Sequence, residues 1–391
     1  MRAAAYVGAA AWIGLLVFRG RFWDARADRL RPPLGEGEGP AVQAVVPARN
    51  EADVVERTLS SLLAQRYPGR FEIVLVDDRS EDGTGTIARE TIARLGGGER
   101  ARVVEGEPRP PGWTGKVWAL ARGVAAARAD GSRPAYWWFS DADVEHDPQT
   151  LSSLVATALE ERRALVSQMV ELSCASGWER LLIPAFVFFF RMLYPFAWVN
   201  DPARKTAGAA GGCVLLSDDA LVRIGGVERI AGELIDDCSL AAAVKEAGGA
   251  LWLGLSTRSR SVRPYQGLAT IWSMVARTAY TQLGYSPPLL AGTVAGMFLL
   301  YIVPPAAAVG GVLARRRDLA LPGTIAWIAM GLAYAPTLKL YRVPRLQAFA
   351  LPLAAALYTA MTVDSARRHA LGRGGTWKGR DFAPGRETSL P

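Results

Sequence analysis

Between residues 41 and 277, short unbroken apolar runs alternate with stretches in which apolar residues recur every three or four positions. The first run, residues 41–47, reads as a strand. It ends at Ala48-Arg49-Asn50-Glu51 and gives way to a helical pattern with Val54, Val55, Leu59, Leu62 and Leu63 on one face. Residues 71–76 predict a second strand that stops at Asp77-Asp78-Arg79-Ser80, and Asp82-Gly83-Thr84 starts the next helix. A third strand is expected at 102–104, a helix at 116–129, and a fourth strand at 135–139 ending in Ser140-Asp141-Ala142-Asp143. Strands alternating with helices predict a parallel sheet with crossover helices, whose ligands sit beyond the carboxyl ends of the strands.

Outside that region the apolar runs are longer. Residues 3–18 carry no charge before Arg19 and Arg21, and no small-residue cleavage site follows, so residues 1–23 read as one N-terminal span and not as a signal peptide. A linker over 24–40, charged and rich in Gly and Pro, leads to the region 41–277. After it, residues 278–314, 319–338 and 346–363 are free of charge, which predicts membrane segments over 278–363 and a basic tail over 364–391. As one helix the first of these would be ~55 Å long, and it contains Pro287-Pro288 and Pro304-Pro305. A re-entrant hairpin there puts Arg315, Arg316, Arg317 and the tail's Arg367, Arg368, Arg373, Lys378, Arg380 and Arg386 inside, against Lys339, Arg342 and Arg345 outside. The stretch 178–200, with Arg191 inside it and Trp and Tyr at its ends, reads as a segment lying in the headgroup layer, with a buried core helix as the alternative.

Composition agrees with a membrane protein: half the residues are hydrophobic and 21% are charged, against about 25% charged in soluble domains. The net charge of +8 suits phosphorylated small molecules or anionic lipid; nucleic acid is not expected as a partner. Three cysteines and two histidines cannot build a disulfide framework or a Cys/His zinc site, so any metal must be held by oxygen.

The acidic clusters all fall at strand ends. If the D-A-D stretch is extended, Asp141 and Asp143 point to one side, and two carboxylates without His or Cys suit a hard divalent cation; a solvated turn or helix cap gives the same letters. Asp77-Asp78 can cap a helix or meet the N–H donors of a nucleotide base. Trp113-Thr114-Gly115-Lys116 precedes a helix whose N–H groups and lysine could hold phosphate, though no P-loop is present. Gly208 and Gly211-Gly212 permit close backbone approach to a ligand, or form a tightly packed turn. In Ile235-Asp236-Asp237-Cys238 an aspartate can cap the helix or serve as a general base.

Taken in order, V-V-P-A-R-N-E, V-D-D-R-S-E-D-G-T, G-K-V-W-A-L, D-A-D and I-D-D-C-S-L resemble family 2 glycosyltransferases over residues 41–277. The phrases G-W-T-G-K-V-W-A-L, L-L-I-P-A-F-V-F-F-F-R-M-L-Y-P-F and I-W-S-M-V-A-R-T-A-Y-T-Q-L resemble the hopene-associated glycosyltransferases, relatives of ceramide glucosyltransferases. The resemblance implies an α/β fold of the GT-A type, with an N-terminal transmembrane helix and a C-terminal helical membrane bundle. It also implies an inverting, metal-dependent transfer of sugar from a nucleotide-diphospho-sugar, expected to be a UDP-sugar, to a membrane lipid hydroxyl in hopanoid biosynthesis. By motif, Glu51 and Asp78 would hold the nucleoside, Lys116 the diphosphate, Asp141 and Asp143 Mg or Mn, and Asp237 would be the base. The Q-x-x-R-W sequence of processive and ceramide-type members is replaced by Met274-Val275-Ala276-Arg277-Thr278; this leaves Arg277 as a diphosphate candidate and argues against polymer synthesis. The setting implied is a bacterial-type inner membrane with the catalytic domain cytoplasmic. A polyprenyl-phosphate sugar transferase, a non-catalytic nucleotide-sugar-binding scaffold and a nucleotidyltransferase are the alternatives, the last disfavoured by the membrane segments.

Overall fold

The structure is a computed structural model that describes residues 1–35, 37, 39–372, 376, 377, 380 and 381. The tail residues Arg373, Lys378 and Arg386 lie outside the described residues. The chain divides into an α/β unit, 27–172 with 198–263, and a helical unit, 1–26 with 173–197 and 264–372.

In the α/β unit, β1 (Val42–Ala48), β2 (Phe71–Asp77), β3 (Ala101–Glu105), β4 (Tyr136–Ser140), β5 (Val144–His146), β6 (Leu165–Glu171), β7 (Cys213–Ser217) and β8 (Leu251–Ser261) form one sheet, in the order β3-β2-β1-β4-β7-β6-β8-β5. β1 is buried along its whole length. Covered on both faces, it needs a continuous apolar run and not an alternation, which is why residues 41–47 read so plainly. The strands the sequence marks, β3, β2, β1 and β4, are parallel as expected; beyond them β7 runs antiparallel to both β4 and β6, and β5 antiparallel to β8. The sheet is therefore mixed. Leu59, Leu62, Ile73, Leu75, Trp138, Leu151 and Leu154 meet in a core on one of its faces.

The helical unit holds the N-terminal helix Arg2–Phe18 and helices that are long and apolar enough to cross a membrane: Gly177–Val199, Pro287–Leu313, Arg317–Leu340 and Arg345–Ala370. The hairpin expected within 278–314 is corrected. Pro287–Leu313 is one helical element with a π-helical stretch at Phe298–Ile302, and its 27 residues span ~40 Å. Pro304 has no N–H to give Leu300 four residues back; that carbonyl instead accepts Trp12 Nε1–H at 2.8 Å, and the helix continues. It lies antiparallel and close against Arg317–Leu340: a Cβ on Gly311 would stand 2.4 Å from Ala320 N, and one on Gly323 2.5 Å from Ala308 N. Small residues at both contacts let the backbones approach.

The N-terminal helix runs parallel to Arg317–Leu340. Arg2 pairs with Asp318 at one end (3.6 Å), and at the other Phe22 and Tyr334 both pack on Phe188. Helix Gly177–Leu193 is started by a capping box between Ser176 and Glu179. It buries Ile183, Val187 and Phe188 within the unit and leaves Trp178 and Leu193 exposed. An expected headgroup segment is thus, on one face, a packed helix.

Candidate functional site

The carboxyl ends of β1, β2 and β4 carry the acidic motifs to one edge of the sheet, since Ala48 is in register with Asp77 and Val45 with Phe139. Two clusters form there. The first centres on Lys116, in the first turn of helix Gly115–Ala129. Its ammonium lies 2.8 Å from Asp141 Oδ1 and 3.2 Å from Asp236 Oδ2. Burial works against that charge, yet Asp141 and Asp236 together raise its pKa above the ordinary lysine value. Lys116 therefore stays protonated.

Asp236 and Asp237 open helix Asp236–Glu246. Asp237 Oδ2 accepts the Gly211 N–H at 2.7 Å, and Oδ1 accepts its neighbour's N–H, from Cys238, at 2.8 Å. Removal from water, and then the negative charge of Asp236, push the Asp237 carboxyl up to about 6 from 3.8, against the opposing pull of Lys116 and the two N–H groups. Gly211 has a steric reason to be glycine: a Cβ there would stand 2.9 Å from Lys116 Nζ and 3.4 Å from Asp237 Oδ2. A cavity lined by Pro47, Lys116, Asp141, Gly211, Asp236 and Asp237 opens at this cluster.

The second cluster was only half legible in the sequence. Glu51 and Asp78 are both buried, at the ends of neighbouring strands. Glu51 N–H donates to Thr84 Oγ1 at 2.8 Å, and Arg49 donates to the Asp78 carbonyl at 2.6 Å. Asn50 and Arg79, at the two turns, adopt positive φ. Arg263, which the motifs did not mark, ion-pairs with Glu51 and reaches Asp53 at 3.2 Å and Asp143 at 3.8 Å. The signal lies in strand register: Val144 pairs with Ser261, so the residues that follow β8 run beside the D-A-D segment.

That segment corrects another expectation. It is not extended: Ala142 and Asp143 form a turn, fixed by the Ala142 carbonyl, which accepts Thr58 Oγ1–H at 2.8 Å. Asp141 faces Lys116, while Asp143 accepts from Ser261 Oγ at 3.4 Å and faces Arg263. Among the described residues no group of three or more His, Cys, Asp or Glu is placed to hold a metal ion. Two hard carboxylates on an edge still fit a cation that fills the rest of its shell with water and phosphate oxygens. His146 is not a ligand candidate: it is buried between Ser140 (2.9 Å) and Ser259 (3.0 Å), and burial lowers its pKa to about 3. Arg277 lies in the helical unit, in the last turn of helix Leu268–Thr278.

Residues 43–225 match the family model described as Glycosyl transferase family 2. It is 35% identical over 94 residues to "Probable glycosyltransferase YdaM" of Bacillus subtilis (strain 168), covering 24% of this chain and 21% of the relative. It is 34% identical over 140 residues to "Dodecaprenyl-phosphate galacturonate synthase" of Rhizobium johnstonii, covering 35% of each. The chain spans at most about two-fifths of the length of these and the other curated relatives it matches. Among solved structures, "Mannosyltransferase PcManGT from Pyrobaculum calidifontis in complex with GDP-Man and Mn2+" superposes with a TM-score of 0.54 at 19% identity, over 94% of this chain and 98% of that one. The fold is GT-A-like, with a mixed sheet and apolar helices long enough to cross a membrane.

Proposed function

We propose that this chain is an inverting, metal-dependent glycosyltransferase that moves a sugar from a nucleotide-diphospho-sugar, taken to be a UDP-sugar, to the hydroxyl of a membrane lipid. The hopanoid lipids are the context its sequence resemblance implies, and a cytoplasmic catalytic domain on the inner membrane is the setting. The observation that carries this reading is Asp237: a carboxylate at the cavity, anchored by two backbone N–H groups, with its pKa pushed up to about 6. A base with that pKa is ionised at neutral pH and still basic enough to take a proton from an attacking hydroxyl.

In this reading Glu51 and Asp78 hold the nucleoside, and Lys116 turns from Asp141 and Asp236 to the diphosphate. Arg277 is a second candidate for that contact. Asp141 and Asp143 would hold Mg or Mn, which when bound offsets the charge developing on the leaving diphosphate. Asp237 takes the acceptor proton as the new bond to the anomeric carbon forms and the bond to the diphosphate breaks. One displacement inverts configuration.

A second reading has one observation in its favour: the similarity to a relative named as a dodecaprenyl-phosphate galacturonate synthase. A phosphate acceptor already carries its nucleophilic oxygen as an anion and needs no base. Purified protein in detergent, given radiolabelled UDP-glucose or UDP-galacturonate with either neutral membrane lipids or a polyprenyl phosphate, separates the two. The first reading expects label in the neutral lipid and its loss in Asp237→Asn; label only in the polyprenyl phosphate, undiminished in Asp237→Asn, favours the second.

A further inference from the structure

Each aspartate of the D-A-D segment faces a cation supplied by the chain itself. Asp141 faces Lys116 and Asp143 faces Arg263. Arg263 is held in place from two directions. The pairing of Val144 with Ser261, and the Val262 N–H donated to the Asp143 carbonyl at 2.8 Å, bring its backbone alongside the segment. The proline that follows, Pro264, keeps Arg263 out of helical conformation. Its guanidinium then lies among Glu51, Asp53 and Asp143, three carboxylates from two loops. Two of these are residues to which the proposed function gives the nucleoside and the metal, so the guanidinium stands where those ligands are to bind.

We propose that Arg263 is a displaceable counter-ion, which occupies the carboxylates until a divalent cation and a nucleoside diphosphate enter together and then pairs with the diphosphate. The inference rests on the proposed function and adds an order of events to it. A cation arriving alone must approach Asp143 against the positive charge of Arg263, and a diphosphate arriving alone meets carboxylates. Arriving together, they bring opposite charges and let every group exchange one partner for another. Arg263 has the planar fork of donors that suits a diphosphate as well as a carboxylate. Metal and nucleotide should therefore bind cooperatively, with Arg263 as the agent of their coupling.

The test is binding and needs no turnover. Mn2+ is titrated into the full-length detergent-solubilised protein, followed by electron paramagnetic resonance, with and without UDP or GDP. In the wild type, nucleotide should tighten Mn2+ binding on the order of tenfold; Mn2+ affinity that is the same within about twofold with and without nucleotide overturns the proposal and needs no variant. Arg263→Gln should tighten Mn2+ binding without nucleotide, and weaken nucleotide binding in its presence, each on the order of tenfold. Arg263→Lys keeps the charge and should leave metal affinity without nucleotide near the wild-type value. If Arg263→Gln leaves that affinity unchanged, or Arg263→Lys behaves like Arg263→Gln, charge exchange is not the agent. A wild type that takes up no Mn2+ with either nucleotide present overturns the metal-dependent donor site itself, an outcome distinct from uptake without coupling.

Discussion

Asp237 and Asp236 are neighbours with separate tasks. Asp236 pairs with Lys116, while Asp237 accepts two backbone N–H groups and lines the cavity. Asp237→Asn should fold, bind nucleotide within a few fold of wild type, and lose transfer by at least ~10²-fold, measured as label in lipid beside nucleotide binding by calorimetry. Wild-type rates at the acid end remove a second ambiguity. The Asp237 pKa is raised, so the base form is lost as pH falls through about 6, and kcat/KM should drop tenfold per pH unit below it. A phosphate acceptor also titrates near 6, so the limb alone does not identify the base. Its disappearance from the residual activity of Asp237→Asn does. The aspartates of the D-A-D turn make a separate prediction: Asp143→Ala, or excess chelator on the wild type, should abolish donor hydrolysis and transfer, and full activity in chelator would remove the metal from the site.

The loop before β7 shows what sequence could and could not yield. A-G-A-A-G-G-C announces close packing, but two readings of it, a ligand contact or a tight turn, differ only in what stands opposite the missing Cβ. For Gly211 that is Lys116 and Asp237. Gly211→Ala should displace the lysine's flexible end from Asp141 and lower kcat/KM roughly 10- to 100-fold with an unchanged thermal melt; wild-type kinetics would mean that the lysine position is unimportant. β1, β2 and β4 were legible because each is an apolar run closed by an acidic turn. β7 and β5 were not, since the direction of a strand is set by its connections and partners and its own side-chain period is the same either way. The same blindness hid Arg263. T-R-S-R-S-V-R alternates as an exposed edge would, and only pairing with β5 brings its last arginine to the carboxylates. Asp141-Ala142-Asp143 failed in a third way: in place of the assumed extended geometry there is a turn whose carbonyls accept hydrogen bonds from Val144, Thr58 and Val262.

At the scale of the molecule, the expected grouping of Arg315, Arg316 and Arg317 with the tail, against Lys339, Arg342 and Arg345, falls with the hairpin it was attached to. Pro287–Leu313 and Arg317–Leu340 form an antiparallel pair, so Arg315 and Arg316 mark one end of the helical unit and Tyr285 and Leu340 the other. The chain then turns back along Arg317–Leu340: Phe349 reaches Trp327, midway along that helix, by ring contact and by a 3.3 Å bond from Trp327 Nε1 to its carbonyl. From there Leu351–Ala370 descends. Tyr358 lies level with Phe189, Asp364 accepts from Trp272 at 2.8 Å, Ser365 accepts from Tyr280 N–H at 3.0 Å, and His369 stacks on Tyr285 at 4.4 Å. This segment is long enough to cross, yet it starts beside Trp327 and ends beside Tyr285, so it is expected to enter and leave by one end. Arg19, Arg21, Lys339, Arg342, Arg345, Arg367 and Arg368 then gather at that end, against Arg2, Arg315, Arg316 and Arg317, where Asp318 pairs with Arg2 and Arg316. By the positive-inside tendency, the richer end is expected to face the cytoplasm. In a background with Cys174, Cys213 and Cys238 replaced by Ala, Arg316→Cys should react with a membrane-impermeant maleimide in intact cells, and Leu371→Cys only after the membrane is opened. Labelling of Leu371→Cys in intact cells would make Leu351–Ala370 a true span and reverse the side assigned to everything after it.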